Sequence, residues 1–63
     1  MNLTWRELVK KLPTLTEAEL TGLLMEERTQ RRRAHILLRL HQRFSVVRCA
    51  RERLELLKEA LAP

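Results

Sequence analysis

The spacing of apolar positions along the chain predicts helices almost throughout. Four apolar residues near the start fall at positions i, i+3, i+4 and i+7, which form one face of a helix: Trp5, Leu8, Val9 and Leu12. Pro13 ends this first helix, because the residue before a proline disfavours the α conformation. A second helical pattern begins at Glu17 and persists to Leu61.

Both predicted helices begin with the same six-residue pattern, Leu-Thr-x-x-Glu-Leu, at residues 3–8 and 15–20. A Thr at such a position caps a helix by accepting the backbone N–H three residues later, and the Glu can bond back to the Thr backbone. The Leu before each Thr can pack against the Leu in the first helical turns. The pattern therefore predicts helix starts after Thr4 and Thr16.

The segment from Glu17 to Leu61 is either one helix of about 67 Å or two helices. Leucines near residues 20–24 project to nearly the opposite side from the later apolar stripe, and residues 26–33 between them contain no apolar side chain. A stripe that changes sides across a polar stretch favours a reversal near 29–33. The lack of a Gly, Pro or Asn turn residue there counts against it.

The predicted fold is thus all-α: a short N-terminal helix followed by a helical hairpin, with one long helix as the alternative. The expected helices cover about 5–11, 17–31 and 34–61 of a single small domain of 63 residues. So short a chain hides only about 60% of its unfolded surface, and its single cysteine, Cys49, cannot form an intrachain disulfide.

We therefore expect a homodimer or an obligate protein partner. Along the final helix, one apolar stripe includes residues that recur every seven positions, which is typical of helix–helix association. A second, weaker apolar side runs from Leu38 to Ala60, so we expect neighbours on both sides of this helix. The predicted oligomer or partner interface consists of Leu40, Phe44, Val47, Leu54, Leu57 and Leu61.

The net charge of +5 is unevenly distributed, because residues 28–53 contain nine Arg and a single acidic residue, Glu52. Such a block attracts anionic partners. The candidate nucleic-acid-binding residues are Arg28, Arg31, Arg32, Arg33, Arg39 and Arg43. A chain break would divide them into a turn cluster and a helix pair. The two aromatic side chains, Trp5 and Phe44, lie on apolar stripes and are expected in the core, which leaves none to stack on bases.

No pattern of catalytic or metal-binding residues is present. His35 and His41 are six residues apart and diverge on a helix, so they cannot bind one metal ion as an i, i+4 pair would. The single glycine excludes a glycine-rich phosphate loop, and the carboxylates sit at solvated helix positions. We expect neither an enzyme nor a bound cofactor.

The sequence predicts a non-enzymatic basic helical module that binds the phosphate backbone of nucleic acid, or another acidic surface. The alternative is a small adaptor, inhibitor or structural subunit, such as phages and mobile elements encode. A membrane-surface peptide is a third, less favoured interpretation, since heptad-like spacing favours a helix partner over lipid. The expected location is the cytoplasm, or the virion if the source is viral.

Overall fold

The computed structural model describes residues 3–63. In this part of the chain three α-helices occur and no strand is present. Helix α1 is Trp5–Lys11, helix α2 is Glu17–Thr29 and helix α3 is Ala34–Leu61, with a 3₁₀ turn at Leu12–Thr14 between the first two. The predicted all-helical class is confirmed.

Both predicted capping threonines start their helices. The Thr16 hydroxyl accepts the Glu19 N–H, while the Glu19 carboxylate accepts the Thr16 N–H, so the reciprocal capping box is complete. At Thr4 the hydroxyl accepts the Glu7 N–H at 3.2 Å but donates to the Glu7 carboxylate at 3.1 Å. In both copies of the pattern the Thr hydroxyl caps the helix, but the Glu carboxylate accepts from the Thr hydroxyl in the first copy and from the Thr backbone N–H in the second.

The chain breaks between α2 and α3, so the alternative of one long helix is wrong. Helix α2 ends at Thr29, two residues before the expected end. Arg32 then adopts a left-handed backbone conformation with φ of 53°, which is uncommon for residues other than Gly, Asn and Asp. The turn therefore has an arginine, Arg32, at the left-handed position where glycine is the usual residue.

The unusual turn is held by Glu27, whose side chain is fully buried. Its carboxylate accepts the Arg33 Nε at 2.7 Å, the Arg33 Nη2 at 3.2 Å and the Arg33 backbone N–H at 3.3 Å. Its backbone carbonyl accepts the Arg32 N–H at 2.8 Å. The carboxylate and the backbone carbonyl of Glu27 therefore both accept hydrogen bonds from the turn that leads into α3.

The core lies between the helices and includes residues from every helical segment. Five side chains are at most 1% exposed: Leu8, Leu12, Leu20, Ile36 and Leu40. Six more apolar residues pack around them: Leu3, Leu15, Leu23, Leu24, Phe44 and Val47. The leucine that precedes each capping threonine belongs to this outer group, as expected for a hydrophobic staple.

Helix α3 extends beyond the rest of the molecule. Its 28 residues span about 42 Å, whereas the 13 residues of α2 span about 20 Å. Arg51 binds Glu17, the first residue of α2, so the last ten residues of α3 lie beyond the end of its antiparallel neighbour. This overhang sets the shape of the C-terminal half.

We predict that replacing Glu27 reduces the loss of stability in acid. Hydrogen bonds from Arg33 hold the pKa of Glu27 below its ordinary value of 4.5, so its contribution is present above pH 4.5 and is lost as the pH falls further. Urea unfolding of Glu27→Gln between pH 7 and pH 3 should show a shallower decline than wild type. Glu59→Gln, at an exposed carboxyl, should keep the wild-type slope; a Glu27→Gln profile parallel to wild type would contradict the prediction.

Candidate functional site

The break places four of the six candidate arginines at one end of the hairpin, at residues 28–33. Arg28 lies in the last turn of α2, and Arg31 and Arg32 lie in the exposed connection. The Arg32 Nε donates to the Arg28 carbonyl at 3.1 Å, which fixes part of that side chain against the end of α2. We call Arg28, Arg31 and Arg32 the turn arginines.

Arg33 differs from its neighbours, because its guanidinium is engaged within the protein. Besides binding Glu27 in a bidentate manner, its Nη1 donates to the Leu3 carbonyl at 3.1 Å. Its side chain is 22% exposed. These contacts link the start of α1 to the turn, so Arg33 has a structural role. Its guanidinium is therefore not available to bind a ligand.

The two remaining candidate arginines lie on the first half of α3, where both are partly exposed, and they differ in how their guanidinium groups are engaged. The Arg39 Nη1 donates to Gln42 at 2.8 Å. Arg43 is only partly exposed; its Nε is buried and lacks a hydrogen-bond partner within residues 3–63. Arg39 therefore extends the turn arginines onto α3, whereas Arg43 presents only part of its head group.

The later arginines of the basic block are paired with acids. Arg48 binds Glu52 at 2.7 Å, and Arg51 binds Glu55 at 2.9 Å, both as i, i+4 pairs along α3. Arg51 also binds the Glu17 carboxylate of α2 in a bidentate manner, through its Nε and Nη2. Hydrogen bonds from Arg51 lower the pKa of Glu17. The excess positive charge is thus partly neutralised toward the far end of α3 and remains at the turn end.

Trp5 is not a core residue, contrary to expectation. Its side chain is 46% exposed, and its ring lies beside the His35 ring at a centroid distance of 5.7 Å and an angle of 47°. A shallow groove next to it is lined by Trp5, Arg6, Val9 and Lys10. Phe44, in contrast, packs against the core as expected.

The six predicted interface residues divide into two groups. Leu40 is fully buried, and Phe44 and Val47 pack against the core, so these three are covered by the chain itself. The other three are 58–83% exposed and lie on the overhanging part of α3: Leu54, Leu57 and Leu61. We call them the distal leucines; Leu56, at 63% exposure, lies beside them.

Two features escaped the sequence analysis, although one of them left a signal. Glu27 lies seven residues after Leu20 and four after Leu23, so it falls on the apolar face of α2. A buried carboxylate on that face requires a hydrogen-bonding partner, preferably a cation, and Arg33 supplies it. The exposure of Trp5 left no such signal, because its spacing places it on the same apolar stripe as the buried Leu8 and Leu12.

Over residues 3–63, no group of three metal-ligating side chains is found. None of the helices described is long and apolar enough to cross a bilayer. Comparisons with protein-family models, curated proteins and solved structures found no match.

We predict that leucines of the same stripe differ sharply in their importance for folding. Leu40→Ala should lower the free energy of unfolding by about 2–5 kcal/mol, because it opens a cavity in the core. Leu57→Ala, made as the matched change on the overhang, should change it by less than about 0.5 kcal/mol in dilute solution. Urea unfolding monitored by circular dichroism measures both, and equal losses would contradict the division.

Proposed function

We propose that this protein is a non-enzymatic module that binds nucleic acid through phosphate contacts at the turn end of its hairpin. The observation that carries the proposal is the set of exposed basic side chains there. The turn arginines and Arg39 form no ion pair within the described residues. A planar guanidinium binds phosphate through two parallel hydrogen bonds, which suits these residues to the task.

The local electrostatics support the same interpretation. Glu27, the carboxylate inserted into the turn, is buried and bidentately paired with Arg33, so it does not offer a free negative charge to a ligand. The other ion pairs of the basic block, at Arg48 and Arg51, involve the far half of α3. A polyanion would therefore meet its strongest attraction at the turn end.

The turn arginines should determine how binding depends on salt. On a DNA duplex each lost phosphate contact reduces the slope of log affinity against log salt by about 0.9. We predict that Arg28→Gln and Arg31→Gln each lower the slope by about that amount, measured by fluorescence anisotropy with a labelled 20-base-pair duplex. Lys58→Gln, at the far end of α3, serves as the control and should leave the slope unchanged.

Two results would count against the proposal. One is the absence of salt-dependent binding to both duplex DNA and a single strand. The other is an equal effect of the turn variants and the Lys58 control, which would indicate general attraction to a cationic protein rather than binding at the turn.

The distal leucines favour a second candidate function, association with another protein chain. Leu54 and Leu61 continue the heptad stripe of Leu40 and Val47. They lie beyond Glu17, the first residue of α2, so α2 does not cover them. The first half of this stripe is covered by the chain itself, and the second half is exposed. An exposed apolar stripe on a helix is typical of a surface that binds another helix. A dimer formed there is compatible with phosphate binding at the opposite end of the hairpin.

Association through the distal leucines predicts a dimer that a single charge disrupts. Sedimentation equilibrium at micromolar concentrations should show a dimer for the wild type and a monomer for Leu57→Glu. Glu59→Gln, on the charged side of the same helix, should remain dimeric. A wild-type monomer throughout that range, with unchanged helicity, would rule out self-association through this face.

A further inference from the structure

The surface around Trp5 combines an exposed aromatic ring with positive charge. Arg6 and Lys10 line the groove next to Trp5, and both side chains are exposed without an ion pair inside the described range. On α3, His35 contacts the Trp5 ring, and Arg39 follows His35 by one helical turn on the same side. We call this set of five residues the Trp5 surface.

The Trp5 surface is continuous with the turn. The Arg33 bond to the Leu3 carbonyl and the contact between Trp5 and His35 place the start of α1 beside the connection and the first turn of α3. Arg39, six residues after Arg33 on α3, lies between the turn arginines and the basic side chains of α1, so Arg6 and Lys10 extend the charge at the turn end. The nearest acid on α1, Glu7, accepts a hydrogen bond from Thr4.

We propose that the Trp5 surface binds single-stranded nucleic acid, with a base stacked on the Trp5 indole and adjacent phosphates contacted by Arg6, Lys10 and Arg39. This inference rests on the proposed function and adds the class of ligand to it. Single strands are bound where basic side chains follow the backbone and an aromatic ring offers its face to an unpaired base. A base in a duplex is already stacked on both sides and cannot use the ring.

Trp5 has the geometry that this role requires. Nearly half of the Trp5 side chain faces solvent, so part of the indole is accessible to a ligand. The tilted His35 ring supports it on one side, which restricts the indole before a base arrives. A ring held in advance loses little conformational freedom on binding.

The intrinsic fluorescence of Trp5 can report binding directly, because the chain contains a single tryptophan. We expect a 20-nucleotide oligo(dT) to quench its fluorescence on binding, while the matched duplex leaves it nearly unchanged. Trp5→Ala should weaken oligo(dT) binding about tenfold or more and change duplex binding less than about twofold. Trp5→Phe retains a smaller ring and should recover most of the lost affinity.

A charge control separates stacking from general attraction. Arg39→Gln should reduce the salt slope on oligo(dT) by about 0.7, the value for one contact to a single strand, and Lys58→Gln should not. Circular dichroism of each variant establishes that the helices are retained, which is expected because neither Trp5 nor Arg39 belongs to the buried core.

The outcomes distinguish this inference from the function on which it rests. Duplex and oligo(dT) bound equally well, with no quenching and no effect of Trp5→Ala, would overturn the single-strand assignment and leave phosphate binding at the turn intact. No binding of either nucleic acid would overturn both and favour association with a protein.

Discussion

The fold depends on a buried ion pair at the point where the chain reverses. Glu27 has no exposed surface, and three hydrogen bonds from Arg33 satisfy its carboxylate. Removing one partner of such a pair leaves an uncompensated charge in a poorly solvated position, which costs several kcal/mol. A continuous helix could not bring residue 33 back to residue 27 in this way. The pair therefore favours the hairpin over the long helix that the sequence also permits.

This constraint also arranges the surface. Because Arg33 continues to the Leu3 carbonyl, the start of α1 is fixed to the turn, and Trp5 comes to lie beside His35. Arg31 and Arg32, which precede Arg33, are left facing solvent. One arginine of a run of three thus acts inside the fold, while the other two keep exposed charge. The ion pair and the proposed binding surface are two consequences of the same turn.

The helices and their starts were predictable because they depend on local patterns: apolar spacing, capping threonines and Pro13. The position of the break followed from the change of apolar face, although its chemistry did not, since Arg32 in a left-handed conformation replaces the expected turn residue. The candidate site was less predictable. Arg33 looked equivalent to Arg39, and only its tertiary contacts with Glu27 and the Leu3 carbonyl separate the two. The distal leucines shared a stripe with Leu40, and only the short length of α2 explains why they are exposed.

The central claim is that Glu27 and Arg33 stabilise the reversal through each other. A double-mutant cycle measures this coupling directly, using the free energies of unfolding of wild type, Glu27→Gln, Arg33→Gln and the double variant at pH 7. The account predicts a coupling of about 2 kcal/mol or more, with the double variant much less destabilised than the sum of the single changes. Additive effects, with a coupling near zero, would contradict it.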